Sequence, residues 1–378
     1  MDRTAGDIFG RSVAVSGSWE IVGAPGRDNK IGKAYFFERG CDRTWTEAQE
    51  LPAPVQEPGA NFGLSVAISG DWAIVGAPGE GGRGAAYIFE RGSDSNWSQV
   101  FKGEGTSVGG LYGFSVGIGD GWAIVGAPRE TEGFSRAGAA YILEYNGVWQ
   151  ETRRLTAVVP QVGASFGFGV SMAPGGDWAL VGAYVERDGG GDVIGAAYFF
   201  GNADGDWDEV QRAPGTVKGQ LFGLSVSLSD DWAIIGEWGG NNTTTAGAAH
   251  IFERGGRCAL LPWMRREKLL SLEVGDNFGY SVSMSPGGER AVVGATGDDT
   301  GLINDNVGAA YLFKRDGYAW NEPPEKLEAS DREPGDLLGI SVAVSDVWVV
   351  AGAYLEDSGG LNAGAAYLFL SGLSCSSP

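Results

Sequence analysis

Histidine is almost missing from this chain: His250 is the only one in 378 residues. Ser/His/Asp and Cys/His catalysis both need an imidazole at the reacting centre, so those schemes have one residue to draw on. His250 stands where sibling segments carry tyrosine, which reads as a structural substitution. Cysteine is as scarce. Cys41, Cys258 and Cys375 are too few for a disulfide scaffold, odd in number, and too far apart for zinc-ligand spacing. Basic residues are also short, 27 Lys and Arg against 48 Asp and Glu, for a formal net charge of −21. That field repels phosphate backbones and anionic lipid, so neither nucleic acid nor a membrane surface is an expected partner. No apolar run approaches the ~18 residues of a membrane helix, so no membrane insertion is expected. Residues 1–8 have neither a basic start nor an apolar core, and no signal peptide is expected there. The glycine-rich run Gly79-Glu80-Gly81-Gly82-Arg83-Gly84 lacks the Lys-Ser/Thr of a phosphate loop.

What the chain has is glycine: 65 residues, more than twice the usual share of about 7%. It is spread through turn positions, as expected of many short strands joined by tight turns. One stretch recurs seven times, opening at Phe9-Gly10, Phe62-Gly63, Tyr112-Gly113, Phe166-Gly167, Phe222-Gly223, Phe278-Gly279 and Leu338-Gly339. A repeat of this length over a whole chain marks a propeller, solenoid or array. Each copy reads as four strands. Strand A alternates small and aliphatic residues (Ser65-Val66-Ala67-Ile68), which suits a crowded position near an axis. A tight turn leads to strand B, a continuous apolar run such as Trp72-Ala73-Ile74-Val75-Gly76, as suits a strand buried on both faces. Repeat six breaks that pattern with Arg290. Strand C reads Gly84-Ala85-Ala86-Tyr87-Ile88-Phe89, and strand D centres on Trp45, Trp97, Trp149, Trp207, Trp263 or Trp320.

The expected fold is therefore all-β, a seven-bladed β-propeller of four-stranded antiparallel blades. It forms one domain over residues 1–378, with repeats starting near 9, 62, 112, 166, 222, 278 and 338. Blade seven lacks a clear strand D, so the last blade is expected to be incomplete unless the tail turns back. An open edge there would permit self-association. The three cysteines all follow a strand C. A Cys41–Cys375 bridge would staple blade one to blade seven; three free thiols are the alternative.

The Phe-Gly … Gly-Ala-Pro signature with its Gly-Ala-Ala-Tyr partner resembles the FG-GAP repeat family, whose repeats build the β-propeller of integrin α subunits. The motif is complete at Gly23-Ala24-Pro25, Gly76-Ala77-Pro78 and Gly126-Ala127-Pro128, and altered at Gly182-Ala183-Tyr184, Gly236-Glu237-Trp238, Gly294-Ala295-Thr296 and Gly352-Ala353-Tyr354. The resemblance implies an extracellular or cell-surface binding propeller. It also implies calcium, but the A–B turn here is two to four residues and cannot supply the six to eight oxygens calcium takes.

Loop length is distributed unevenly. A–B turns stay tight, while B–C and D–A loops vary, and in a four-stranded blade those two lie on one face. Recognition is expected there. The acidic loops give candidate ligand residues Glu186, Asp188, Asp192, Glu356 and Asp357. Asp298, Asp299, Asn304, Asp305 and Asn306 offer hard oxygens for a Ca2+ site. The leading expectation is a non-catalytic extracellular recognition propeller for a protein or glycan. Its rivals are a structural subunit of a surface assembly and a carbohydrate-active hydrolase or lyase using acidic residues.

Overall fold

The computed structural model describes residues 3–131, 133–203, 205–239, 246–256, 262–271, 273–299, 305–321 and 323–371. Seven antiparallel sheets stand around an axis as the blades of a propeller. In blade one, strands Ser12–Ser16, Trp19–Ala24, Lys33–Arg39 and Trp45–Pro52 pair in chain order. Blades two to five repeat that order. In each of these five, the register between strands C and D shifts once, as at Ile88/Phe89, and such a bulge increases the outer strand's twist.

Blade six departs from this. Its fourth strand comes in two pieces, Ala319–Trp320 and Glu325–Leu327, with Pro323 and Pro324 between them. Proline has no amide hydrogen to give a sheet, so the ladder breaks there. Blade seven holds Ser341–Val344, Trp348–Ala353 and Ala365–Leu370. Among the described residues, the outer side of Ala365–Leu370 has no paired strand.

The seven copies of the motif turn out to be seams between blades. The Phe-Gly glycines adopt φ between +82° and +87°, a region that favours glycine. The carbonyl of each then meets the preceding blade. A Cβ on Gly76 would lie 1.9 Å from the Gly113 oxygen, so the glycine of Gly-Ala-Pro is dictated by the neighbour's backbone. The strand-A serine donates to the same carbonyl, Ser65 Oγ to Gly113 O at 2.9 Å and Ser115 Oγ to Gly167 O at 2.9 Å. Ser341 Oγ to Gly10 O, 2.8 Å, closes the ring in the same way. A parallel bridge between Phe9 and Gly364 completes the closure.

Apolar packing follows the same seams. Ile21 and Phe36 of blade one meet Ala73, Val75 and Tyr87 of blade two, and Phe9, Val13 and Val22 meet Ala343 and Val350 of blade seven. The repeated tryptophans meet across the seams too. The strand-B Trp of one blade packs edge-on against the strand-D Trp of the next: Trp19–Trp97 at 5.6 Å, Trp178–Trp263 at 5.4 Å, and Trp348–Trp45 at 5.7 Å across the closure. Arg290 breaks the strand-B pattern at the seam from blade six to blade seven. That is the one seam where no strand-D Trp is supplied among the described residues.

Candidate active site

Blades two to six each bring together a carboxylate, a ring and a cation on the B–C/D–A face. The carboxylate comes two residues after Gly-Ala-Pro, or from the motif's middle position (Glu237) in blade five; the ring comes from Gly-Ala-Ala-Tyr and the cation from strand D. In blade two, Tyr87 OH donates to Glu80 Oε1 at 2.7 Å while Lys102 Nζ lies 2.9 Å away. In blade three, Glu130 takes Tyr141 OH at 2.7 Å and Arg154 Nε at 3.1 Å. In blade four, Glu186 takes Tyr198 OH and, at 2.7 Å, Arg212 Nε. Blade five keeps the cluster with His250 in the tyrosine's place, its Nε2 2.9 Å from Glu237 Oε2, and Lys268 2.9 Å from the same oxygen. Burial holds the His250 pKa below its ordinary value, against the pull of Glu237. Pairing matters because these carboxylates are buried, and a buried charge needs a partner.

In blade six the same cluster borders an open space. Asp298 accepts from Tyr311 OH and pairs with Lys326 Nζ at 2.7 Å. Beside the interrupted strand D lies a cleft of about 830 Å³, lined by Ser271, Asp276, Asp298, Tyr311, Pro323 and Lys326 among others. Asp276 is 4% exposed, and the Ser271 hydroxyl donates to its Oδ2. Burial foremost, with Asp298 and Glu273 adding to it, pushes the Asp276 carboxyl up to about 6. Burial also raises the Tyr311 phenol, and Asp298 adds to it, so the phenol stays a neutral donor. Lys326 keeps its charge, since Asp298 and Glu328 outweigh the desolvation that opposes it. The cleft thus offers a proton acceptor that titrates near neutrality beside a fixed ammonium and a phenol. Two titratable groups driven apart by their surroundings are the usual mark of acid–base chemistry.

Of the residues singled out in the sequence, Asp298 and Asp299 line the cleft, and the other described ones lie outside its lining. Glu186 is buried in the blade-four cluster. Glu356 is buried as well, 3.0 Å from Arg3. Asp188 shapes its own turn, accepting from the amides of Gly190 and Asp192 at 2.8 and 3.0 Å. Asp192 pairs with Lys218 at 2.6 Å, and Asp357 accepts from the Asn362 amide at 2.6 Å. Of the five residues considered for Ca2+, Asp298 and Asp299 line the cleft, and Asp299 Oδ1 accepts from the Asn306 amide at 2.9 Å. The Asp305 carbonyl accepts from the Gly335 amide at 2.8 Å, and Asn304 lies outside the described residues. Among the described residues, no three His, Cys, Asp or Glu side chains gather as a metal cage. Cys41 is an exposed free thiol; Cys258 and Cys375 lie outside the described residues. The sequence reading missed Asp276, Tyr311 and Lys326. The signal was there: two residues before Phe-Gly, most repeats carry Ala, Gly or Gln, and only Asp7, Asp276 and Asp336 are acidic.

The FG-GAP repeat family matches residues 1–37, 45–89, 149–200, 207–252, 263–313 and 322–369. No curated protein sequence matches the chain significantly. Among solved structures, the periplasmic gluconolactonase of Pseudomonas aeruginosa superposes with a TM-score of 0.54 and 11% identity, covering 85% of this chain and 86% of that one. A candidate 6-phosphogluconolactonase from Bacteroides uniformis gives 0.57 at 9% identity, with 89% of each chain covered. At these identities the likeness shows the fold alone. It nevertheless corrects the expectation of a non-catalytic recognition propeller, because both similar rings are named as lactonases. That expectation rested on the repeats, the loop asymmetry and the lack of a catalytic constellation in the sequence, and the blade-six cleft brings candidate groups together. Among the described residues no helix is long and apolar enough to cross a membrane.

Proposed function

Since the chain belongs to the FG-GAP repeat family, we propose that this propeller is a hydrolase of a small carbohydrate-derived lactone or ester, working in the blade-six cleft. The observation that carries the reading is Asp276, a buried carboxyl with its pKa near 6, in a cleft shared with Lys326 and Tyr311. In the proposed step Asp276 takes a proton from water as the water oxygen bonds to the acyl carbon. The developing oxyanion is stabilised by the Lys326 ammonium. The acyl C–O bond then breaks, and the departing oxygen receives the proton back from Asp276, leaving a hydroxy acid. The names of the two similar propellers support a sugar lactone as substrate class. We further infer a location outside the cytoplasm, supported by the name of the periplasmic neighbour.

The test is hydrolysis of gluconolactone by the full chain, followed by acid release at constant pH. With Asp276 acting as base, kcat/KM rises with pH through about 6 and then levels. Asp276→Asn lowers kcat by on the order of 100-fold. A wild-type rate equal to the buffer rate, or an Asp276→Asn variant with full activity and an unchanged melting curve, overturns the reading.

A further inference from the structure

The residue following each Phe-Gly points to the axis. Arg11, Leu64, Phe114, Phe168, Leu224, Tyr280 and Ile340 ring a cup of about 140 Å³, space for several waters or one small ring. Six of the seven are apolar or aromatic, and the seventh is arginine.

The altered Gly-Ala-Pro motifs now find a use. Where three repeats end in proline, others end in Tyr184, Trp238 and Tyr354, and these half-buried rings meet the axial ring. Tyr184 packs on Phe168 at 4.4 Å, Trp238 on Tyr280 at 5.5 Å, and the Arg11 guanidinium lies 5.9 Å above Tyr354. Trp238 Nε1 donates to Asn277 Oδ1 at 2.9 Å, which fixes its plane. Arg11 is half-buried and has no carboxylate partner among the described residues, in a chain with 48 acidic side chains. The ordinary fate of an arginine in so acidic a protein is an ion pair, as seen for Arg27, Arg154 and Arg212. An uncompensated guanidinium in a ring of three aromatic and three aliphatic side chains is a site prepared for an anion.

We propose that this axial cup binds a sugar ring bearing a carboxylate, a uronic acid. The planar guanidinium takes a carboxylate through two parallel hydrogen bonds. The aromatic faces take the apolar C–H face of the ring. A cup of this size suits one such ring and no polymer backbone. The proposal goes beyond the hydrolase reading and concerns a different place on the molecule, on the axis and not in blade six.

Isothermal titration of the full chain with glucuronate, glucose and benzoate tests it. Glucuronate binds, and glucose, which lacks the carboxylate, binds at least about tenfold more weakly. Arg11→Gln weakens glucuronate by about tenfold or more with an unchanged melting curve, and Arg11→Lys keeps part of the affinity. Phe168→Ala and Trp238→Ala each weaken it several-fold. No heat with glucuronate overturns the proposal, as does an unaltered Arg11→Gln. Benzoate binding without glucuronate binding overturns the sugar part. Asp276→Asn binds glucuronate as the wild type does, so loss of the hydrolase reading leaves this result standing.

Discussion

Glu20 occupies a position that alanine or valine holds in the six other repeats: Ala73, Ala123, Ala179, Ala233, Ala291 and Val349. Ala73 packs into the seam toward the preceding blade, so by register Glu20 faces blade seven. It is 1% exposed, with Oε1 lacking any partner, and burial pushes its carboxyl up to about 8. The native state therefore holds the proton where the unfolded chain, with a carboxyl near 4.5, has released it. Any stability that protonated Glu20 allows is fully present below about 4.5 and is lost as pH rises toward 8. Glu20→Ala is thus expected to stabilise the fold, by a margin growing by up to about 1.4 kcal/mol per pH unit across that window. Thermal melts of both proteins between those limits check it; a gain independent of pH would show that Glu20 finds a partner in solution.

At the scale of elements, the seam is where stability concentrates. Removing the hydroxyl in Ser65→Ala loses one hydrogen bond to the Gly113 carbonyl, worth about 1 kcal/mol. Gly76→Ala forces a methyl against that same carbonyl, which belongs to another blade's backbone and cannot move aside. It should cost more than about 3 kcal/mol, which urea unfolding would measure. If the two substitutions cost the same, the seam is softer than its distances imply. The blades themselves were legible in the sequence because seven imperfect copies reveal each other's pattern. Strand A's small residues, strand B's apolar run and the Gly-Ala-Ala-Tyr strand all sit as their spacing implied. What the copies share also hid what they do. The carboxylate two residues past Gly-Ala-Pro is shared by five repeats and looked like loop acidity, since nothing in the chain says that a tyrosine and a cation fold over it. Asp276 and Lys326 each look ordinary. They come together in a candidate site beside the place where Pro323 and Pro324 part a strand that is continuous in blades one to five.

For the whole molecule the charge balance decides. A net charge of −21 pushes the ring apart from within, while the buried clusters hold it locally. Self-repulsion between exposed charges is screened by salt far more than the buried pairs are. The melting temperature should therefore rise as NaCl increases from about 0.01 to about 0.15 M. A fall over that range would mean that exposed ion pairs such as Lys218–Asp192 contribute more than the net repulsion takes away.

The closing seam joins residues that are 331 positions apart at Ser341 and Gly10, and 353 apart at Arg3 and Glu356. Every other seam is made between neighbours in the chain. A growing polypeptide can therefore assemble its blades one after another as they leave the ribosome, but it cannot finish. Until the last blade emerges, Phe9, Val13 and Val22 stand as an uncovered apolar flank at one end of a curved stack, with a second such flank at the other. That interval is when the chain is most exposed to aggregation and to pairing with a sister chain. The order of synthesis makes the final blade the clasp, and a chain halted before it would be a sticky open arc.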